Sequence, residues 1–114
     1  MTSNEIPETD VARIRTWCAT RTPAATADQV RVVAVVDGPQ VVIAEERPPW
    51  DGGHGSPWET YPLARVTYVR SSRTWNLEVS SEGDRFRKYP GLVSGSLEEV
   101  LAEIDEDPTF VFWG

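Results

Sequence analysis

The chain has 114 residues, of which 39% are hydrophobic and 25% charged, so it holds enough apolar material for one domain and is not compositionally disordered. Acidic residues outnumber basic ones by 18 to 11, and the net charge of −7 disfavours general binding to nucleic acid or to an anionic membrane. One cysteine, Cys18, and one histidine, His54, exclude an intramolecular disulfide, a cysteine-built zinc site and a multi-histidine metal site.

The N-terminal part of the sequence predicts a helix over about residues 8–20. Pro7 suits the first turn of a helix, and four residues fall at helical spacing on one face: Val11, Ile14, Trp17 and Cys18. Residues 1–10 are polar and acidic and lack a signal pattern, and residues 1–7 are expected to form a flexible N-terminus.

Five strands are predicted to follow this helix. Valine-rich stretches flank the tight-turn signal Asp37-Gly38 and predict a β-hairpin. Apolar and polar residues alternate around Trp75, and the last strand carries basic residues that suit the edge of a sheet. The predicted strands are 29–36, 41–47, 60–70, 74–79 and 85–89.

A second helix is predicted from Ser96, which starts a capping box with Glu99. Its apolar residues recur at i, i+3, i+4 and i+7, as an amphipathic helix requires: Leu97, Val100, Leu101 and Ile104. Short turns between the strands indicate an antiparallel meander. We therefore predict an α+β fold in a single domain over residues 1–114, with the N-terminal and the C-terminal helix packed on a sheet of about five strands.

The sequence contains several short motifs in a characteristic order and spacing: Arg47-Pro48-Pro49-Trp50, Trp58, Pro62-Leu63-Ala64-Arg65-Val66-Thr67-Tyr68, Trp75-Asn76-Leu77, Arg87-Lys88-Tyr89, Ser96-Leu97-Glu98-Glu99, Asp107-Pro108 and Phe112-Trp113-Gly114. In these motifs the chain resembles a family of small bacterial proteins, common in actinobacteria, that is known only as a domain of unknown function. The resemblance implies a stand-alone bacterial domain and brings no activity, substrate or catalytic residue. His54 and Gly52-Gly53 are not expected to belong to the family pattern.

The segment 48–59 is the best site candidate in the sequence. Half of its twelve residues are glycine or proline, which predicts a loop of a length that is often functional. Trp50 and Trp58 flank the loop, with Arg47 and Arg65 near it in sequence. Tryptophan faces and guanidinium groups together can form a ligand pocket or a protein-binding hot spot. The alternative is that both tryptophans plug one end of the sheet and the arginines stack on them.

The same loop holds a weaker acid/base or metal candidate, made of Asp51, His54 and Glu59. A histidine among carboxylates can act as a general base or bind a metal, but no known metal spacing is matched. A solvated loop histidine is the structural alternative. No catalytic residue, metal or cofactor is therefore assigned, and whether the chain is an enzyme stays open, with the balance towards a non-enzymatic role.

Two further features have structural as well as functional interpretations. Cys18 is expected to be a small core residue rather than a nucleophile, because the one histidine is far away in sequence. Three acids follow one another at the end of the second helix: Asp105, Glu106 and Asp107. They are expected to form a frayed, solvated helix end, with a cation or basic partner as the alternative.

Together these features favour a cytoplasmic, acidic binding or interaction module that uses the loop 48–59. A protein partner or a small ligand is expected, with no general nucleic-acid binding and no membrane association, in a monomer or a homodimer. The alternatives are a small enzyme with the Asp/His/Glu loop site and an acidic inhibitor whose last helix mimics nucleic acid.

Overall fold

A computed structural model of the chain describes residues 6–26, 28–49, 57–82, 85–92, 94–109 and 111–113. The helices in this part of the chain are α1 (Glu8–Thr20) and α2 (Leu97–Glu106), and a 3₁₀ turn spans Ala24–Thr26. The strands are β1 (Arg31–Asp37), β2 (Gln40–Arg47), β3 (Glu59–Val69), β4 (Thr74–Ser80), β5 (Phe86–Lys88) and β6 (Ser94–Gly95). The predicted α+β fold, a single domain with a helix at each end of an antiparallel meander, is confirmed.

The sheet has the order β1-β2-β3-β4-β5, and all of its strand pairs are antiparallel. The short strand β6 was not predicted and pairs with β4 beyond the part that β5 covers. A two-residue turn joins β1 to β2, and its Gly38 has φ +60°, a conformation that favours glycine. Between β2 and β3 the register shifts, which leaves Leu63 as the extra residue of a bulge.

The hydrophobic core lies on one face of the sheet, where α1 and α2 pack. Strand β4 shows the alternation most clearly, since Trp75 and Leu77 are each 1% exposed while Asn76 between them is exposed. Both helices add their apolar residues to the same cluster: Ile14 and Cys18 from α1, and Leu97, Val100, Leu101 and Ile104 from α2. The alternating apolar residues of the strands and the apolar stripes of the helices therefore pack in one core, as the sequence patterns predict.

Both ends of the described chain reach this core. Ile6 is 1% exposed, residues 1–5 lie outside the described part, and the flexibility expected for residues 1–7 stays a prediction. At the other end, Phe112 is 4% exposed, and its ring centroid lies 5.1 Å from the ring centroid of Tyr89. The Tyr89 hydroxyl donates to the Glu103 carboxylate at 2.7 Å, which ties the strand region to α2.

The start of α2 is as predicted, and its end is not. Ser96 and Glu99 form the complete capping box, each side chain accepting from the other residue's backbone N–H. Asp107, however, is 5% exposed with φ +44°, and its carboxylate accepts backbone N–H bonds from three residues of the tail: Val111, Phe112 and Trp113, at 2.8, 3.1 and 2.9 Å. The expectation of a frayed, solvated helix end is therefore wrong at Asp107, because the chain folds back and supplies donors for the carboxylate.

Candidate recognition site at the end of the sheet

The end of β2 and the start of β3 lie side by side, because the antiparallel register places Arg47 opposite Glu59 and Glu46 opposite Thr60. The predicted loop 48–59 therefore leaves and re-enters the sheet at one end. We call this end, with the side chains that surround it, the loop end; its described members are Arg31, Glu45, Glu46, Arg47, Trp58, Glu59 and Tyr61.

A stacked pair of side chains forms the centre of the loop end. The guanidinium carbon of Arg31 lies 3.7 Å from the ring centroid of Trp58, which is half-buried. Arg31 also faces Glu46 across the β1–β2 hairpin, and its Nε lies 3.2 Å from Glu46 Oε1. The Glu46 carboxylate and the Trp58 indole ring both contact the guanidinium group, and together they restrict the conformations of the Arg31 side chain.

The neighbouring side chains of the loop end are more exposed. Arg47 Nη2 lies 3.2 Å from Glu45 Oε1, and the Arg47 side chain is 55% exposed. Tyr61 is 46% exposed and donates its hydroxyl to the Glu59 carboxylate, a hydrogen bond that raises the pKa of Tyr61. The loop end therefore exposes Arg47 and Tyr61, and each of these side chains contacts one acidic side chain.

Arg65 lies elsewhere. It stands in the middle of β3, opposite Glu78, and its Nε donates to Glu78 Oε1 at 2.7 Å. Its guanidinium carbon also lies 4.6 Å from the ring centroid of Phe86. Among the predicted site residues, the structure thus places Arg47 and Trp58 at the loop end, and Arg65 on the open face of the sheet further along the strand.

The structure describes one of the four remaining predicted site residues, and the other three lie outside the described ranges. Glu59 is exposed and bonded by Tyr61. Trp50, Asp51 and His54 lie outside the described residues, and the predictions made for them stay predictions. Within the described ranges, no group of three or more histidine, cysteine, aspartate or glutamate side chains is placed to hold a metal ion.

Arg31 is the member of the loop end that sequence reasoning missed. Its pairing with Glu46 follows from the observed two-residue turn at Gly38-Pro39, whereas a two-residue turn at the predicted Asp37-Gly38 would place Arg31 opposite Ala44. Its stacking on Trp58 joins residues that are far apart in sequence and depends on how the third strand continues after the loop. Proximity in sequence favoured Arg47 and Arg65 instead.

A second arginine and tryptophan cluster lies between α1 and the C-terminal tail. Arg21 lies 5.9 Å from the ring centroids of both Trp17 and Trp113, and it forms an ion pair with Asp105. Trp17 Nε1 donates to the same carboxylate at 3.1 Å, and Trp113 Nε1 donates to the backbone carbonyl of Ile104 at 2.7 Å. These contacts join α1, α2 and the tail. We interpret the cluster as structural, because each polar group in it is already bonded to a part of the fold.

Cys18 is buried in the core, as predicted. Burial raises the pKa of its thiol from 9.0 to about 11, and the nearby charge of Arg15 acts in the opposite direction with a smaller effect. The thiol therefore stays protonated at neutral pH, which does not suit a nucleophile.

These observations define a small α+β domain with an aromatic and arginine cluster at one end of its sheet. The chain belongs to the family described as a domain of unknown function, DUF3024, whose model matches residues 1–114. Comparisons with curated proteins and with solved structures gave no match. In the described part of the chain, no helix is both long and apolar enough to cross a membrane.

Proposed function

We propose that this protein is a non-catalytic interaction module that binds a protein partner through the loop end. The observation that carries the proposal is the stacked pair Arg31 and Trp58 at the end of the sheet whose other face carries the exposed Tyr61. Tryptophan, tyrosine and arginine are the residues that contribute most binding energy at protein interfaces. Stacking on Trp58 already restricts the Arg31 side chain, so this arginine loses less freedom on binding than an unstacked one would.

The charges of the loop end support a polar protein surface as its ligand. Acids and bases alternate there, with Glu45 paired to Arg47 and Glu46 paired to Arg31. Such exposed pairs are individually weak, so a partner can replace them with its own charges at little cost. They contribute more to orientation and partner choice than to affinity.

The nucleic-acid mimic finds less support, because several acids of the last helix already have partners within the fold. Glu98 pairs with Arg13, Asp105 pairs with Arg21, and Glu99 belongs to the capping box. A phosphate mimic requires a row of carboxylates that are free to meet a basic partner. The enzyme alternative rests on Asp51 and His54, which lie outside the described residues.

The test compares capture of a partner by the wild-type chain and by Tyr61→Ala. Tyr61 is 46% exposed, so its loss should leave the melting temperature nearly unchanged. For a partner identified with the wild type, we expect calorimetry to show a Kd at least about tenfold higher with Tyr61→Ala, as loss of an interface anchor causes. Arg70→Ala, in the exposed turn after β3 and thus at the opposite end of that strand, is the control and should bind as the wild type does.

Two outcomes would overturn this proposal. One is a partner that binds Tyr61→Ala and Trp58→Ala as tightly as the wild type. The other is an enzymatic activity that His54→Ala abolishes while the fold stays intact, since the loop would then hold a reaction centre rather than a recognition surface.

A further inference from the structure

Strand β1 forms one edge of the sheet, with β2 as its neighbour. The backbone N–H of Val32 points away from β2 and donates to Thr22 Oγ1 at 2.8 Å. Because backbone groups alternate in direction along a strand, those of Ala34 and Val36 point to the same side. In the described part of the chain, the outward backbone groups of Ala34 and Val36 have no hydrogen-bond partner. Unpaired groups of this kind allow another strand to pair with the edge.

A groove of about 380 Å³ runs along this edge, between α1 and β1. Most of its lining residues are small or apolar, and two are arginines: Cys18, Ala19, Thr22, Val32, Val33 and Ala34, with Arg15 and Arg31. An added strand would place alternate side chains in the groove and the others on the open face of the sheet.

The sequence of β1 is almost its own mirror image about Ala34. It reads Arg-Val-Val-Ala-Val-Val-Asp, so hydrophobic residues occupy symmetric positions while the two ends, Arg31 and Asp37, have opposite charges. When such a strand pairs antiparallel with an identical one about a two-fold axis at Ala34, each arginine lies opposite an aspartate.

We propose that β1 pairs with β1 of a second copy of this chain, antiparallel and centred on Ala34, so that one continuous sheet runs through a two-fold symmetric dimer. Ala34 would exchange hydrogen bonds with Ala34 of the partner subunit. The Val36 N–H would donate to the carbonyl of the partner's Val32, and the Val32 N–H would exchange its bond to Thr22 Oγ1 for a bond to the carbonyl of the partner's Val36.

Side chains on the open face fit the same register. Val33 lies opposite the partner's Val35, and β-branched residues in this position stabilise strand pairs. Val35 is 53% exposed in the single chain, so pairing covers an apolar side chain that is otherwise in water. Arg31 lies opposite the partner's Asp37 in a non-hydrogen-bonded pair, where side chains approach each other most closely.

Charge selects a second copy over other strands as the occupant of this edge. Shifting the register by two residues would place Arg31 opposite Val35 or Pro39, so both charge pairs would be lost. The other edge strand, β5, carries Arg87 and Lys88 and would repel an identical strand. Arg31 belongs both to the loop end and to β1, so the two proposals are separated by Ala34→Pro, which tests the pairing, and by Tyr61→Ala, which tests the proposed function and lies outside β1.

The first test is sedimentation of the wild type and of Ala34→Pro, from micromolar to near-millimolar concentration. Proline removes the outward N–H at the centre of the predicted pairing, and an edge strand tolerates it because this N–H does not bond to β2. We expect a reversible dimer for the wild type and a Kd at least about tenfold higher for Ala34→Pro. Wild-type protein that stays monomeric over the whole range would overturn the proposal.

A second pair of variants keeps the proposal testable if Ala34→Pro fails to fold. Arg31→Asp and Asp37→Arg each place like charges opposite each other and should each weaken the dimer. Mixed together, the two variants should form a heterodimer. Positions 31 and 37 are both acidic in Arg31→Asp and both basic in Asp37→Arg, so in the proposed register each acid lies opposite a base. The controls Arg70→Asp and Glu82→Arg change the net charge equally at exposed positions outside β1. If Arg31→Asp and Asp37→Arg leave the Kd of the dimer unchanged, or if the controls raise it as much, the dimer forms through another surface.

Discussion

The carboxylate of Asp107 receives three backbone N–H groups and thereby fixes the path of the C-terminal tail. The left-handed conformation of Asp107 ends α2, and the tail then turns back so that Phe112 reaches the core. The local sequence, with three acids in a row at a helix end, indicates solvation instead. The donors come from residues further along the chain, so the local pattern does not reveal them.

Replacing Asp107 with alanine should leave these three donors without their acceptor. Hydrogen bonds to a charged acceptor contribute about 1.5–3 kcal/mol each before water replaces them, so we expect a loss of about 3 kcal/mol of unfolding free energy for Asp107→Ala. Urea denaturation measures this loss. Glu106→Ala, one residue earlier and exposed, is the control and should lose less than about 0.5 kcal/mol. Equal losses for the two variants would contradict the role given to Asp107.

The thiol of Cys18 should be inert in the folded chain. Burial moves its pKa from 9.0 to about 11, so at pH 8 the thiolate fraction is about 100-fold lower than in an unperturbed thiol. Alkylation by iodoacetamide should therefore be at least about 100-fold slower than in urea-unfolded protein, and its rate should rise about tenfold per pH unit up to about pH 11. Mass spectrometry of the alkylated chain measures this rate. Equally fast labelling of folded and unfolded protein would contradict the burial of the thiol.

At the scale of elements, the helices and most strands follow from local chemistry. Pro7 precedes α1, the Ser96 capping box starts α2, and the valines of β1 and β2 predict the hairpin. Strand β6 escapes prediction because two residues, Ser94 and Gly95, carry no periodic signal. The bulge at Leu63 escapes too, because it depends on how two strands meet.

The candidate site was predictable in part for the same reason. The sequence identifies Trp58 and Arg47 as neighbours of a long loop, and both lie at the loop end. The partner of Trp58 is Arg31, which reaches it through the sheet rather than along the chain. Contacts between distant parts of the chain depend on register and strand order, and proximity in sequence does not reveal them.

The start and the middle of α2 stabilise the protein by different means, and two variants separate them. Ser96→Ala removes the cap and should lose about 1 kcal/mol of unfolding free energy. Leu101→Ala leaves a cavity in the core and should lose roughly 2–5 kcal/mol. Urea midpoints compare the two. If Ser96→Ala costs more than Leu101→Ala, the packing of α2 against the sheet is not as described.

For the whole molecule, the excess of acids is concentrated on one element. Residues 96–107 contain six acidic residues and no basic one, while β5 carries Arg87 and Lys88. A net charge of −7 repels the phosphate backbone at long range, and the short basic strand opposes this only locally.

We therefore expect no affinity for random duplex DNA tighter than about 10⁻⁴ M at physiological salt. Fluorescence anisotropy with a labelled duplex, read at two salt concentrations, measures this. Micromolar binding that weakens steeply with salt would contradict the expectation and would indicate that the β5 basic residues contact phosphates.

The central claim is that the fold holds the loop end in place for a protein partner, and hydrogen exchange of the partner-bound chain tests it most directly. With a partner identified by the capture experiment, exchange is followed by mass spectrometry in the free and the bound chain. We predict slower exchange on binding in peptides that cover residues 45–47 and 57–61, where the loop end meets the sheet, and no change in α2. Protection confined to α2 or β5, with residues 57–61 unchanged, would contradict the claim.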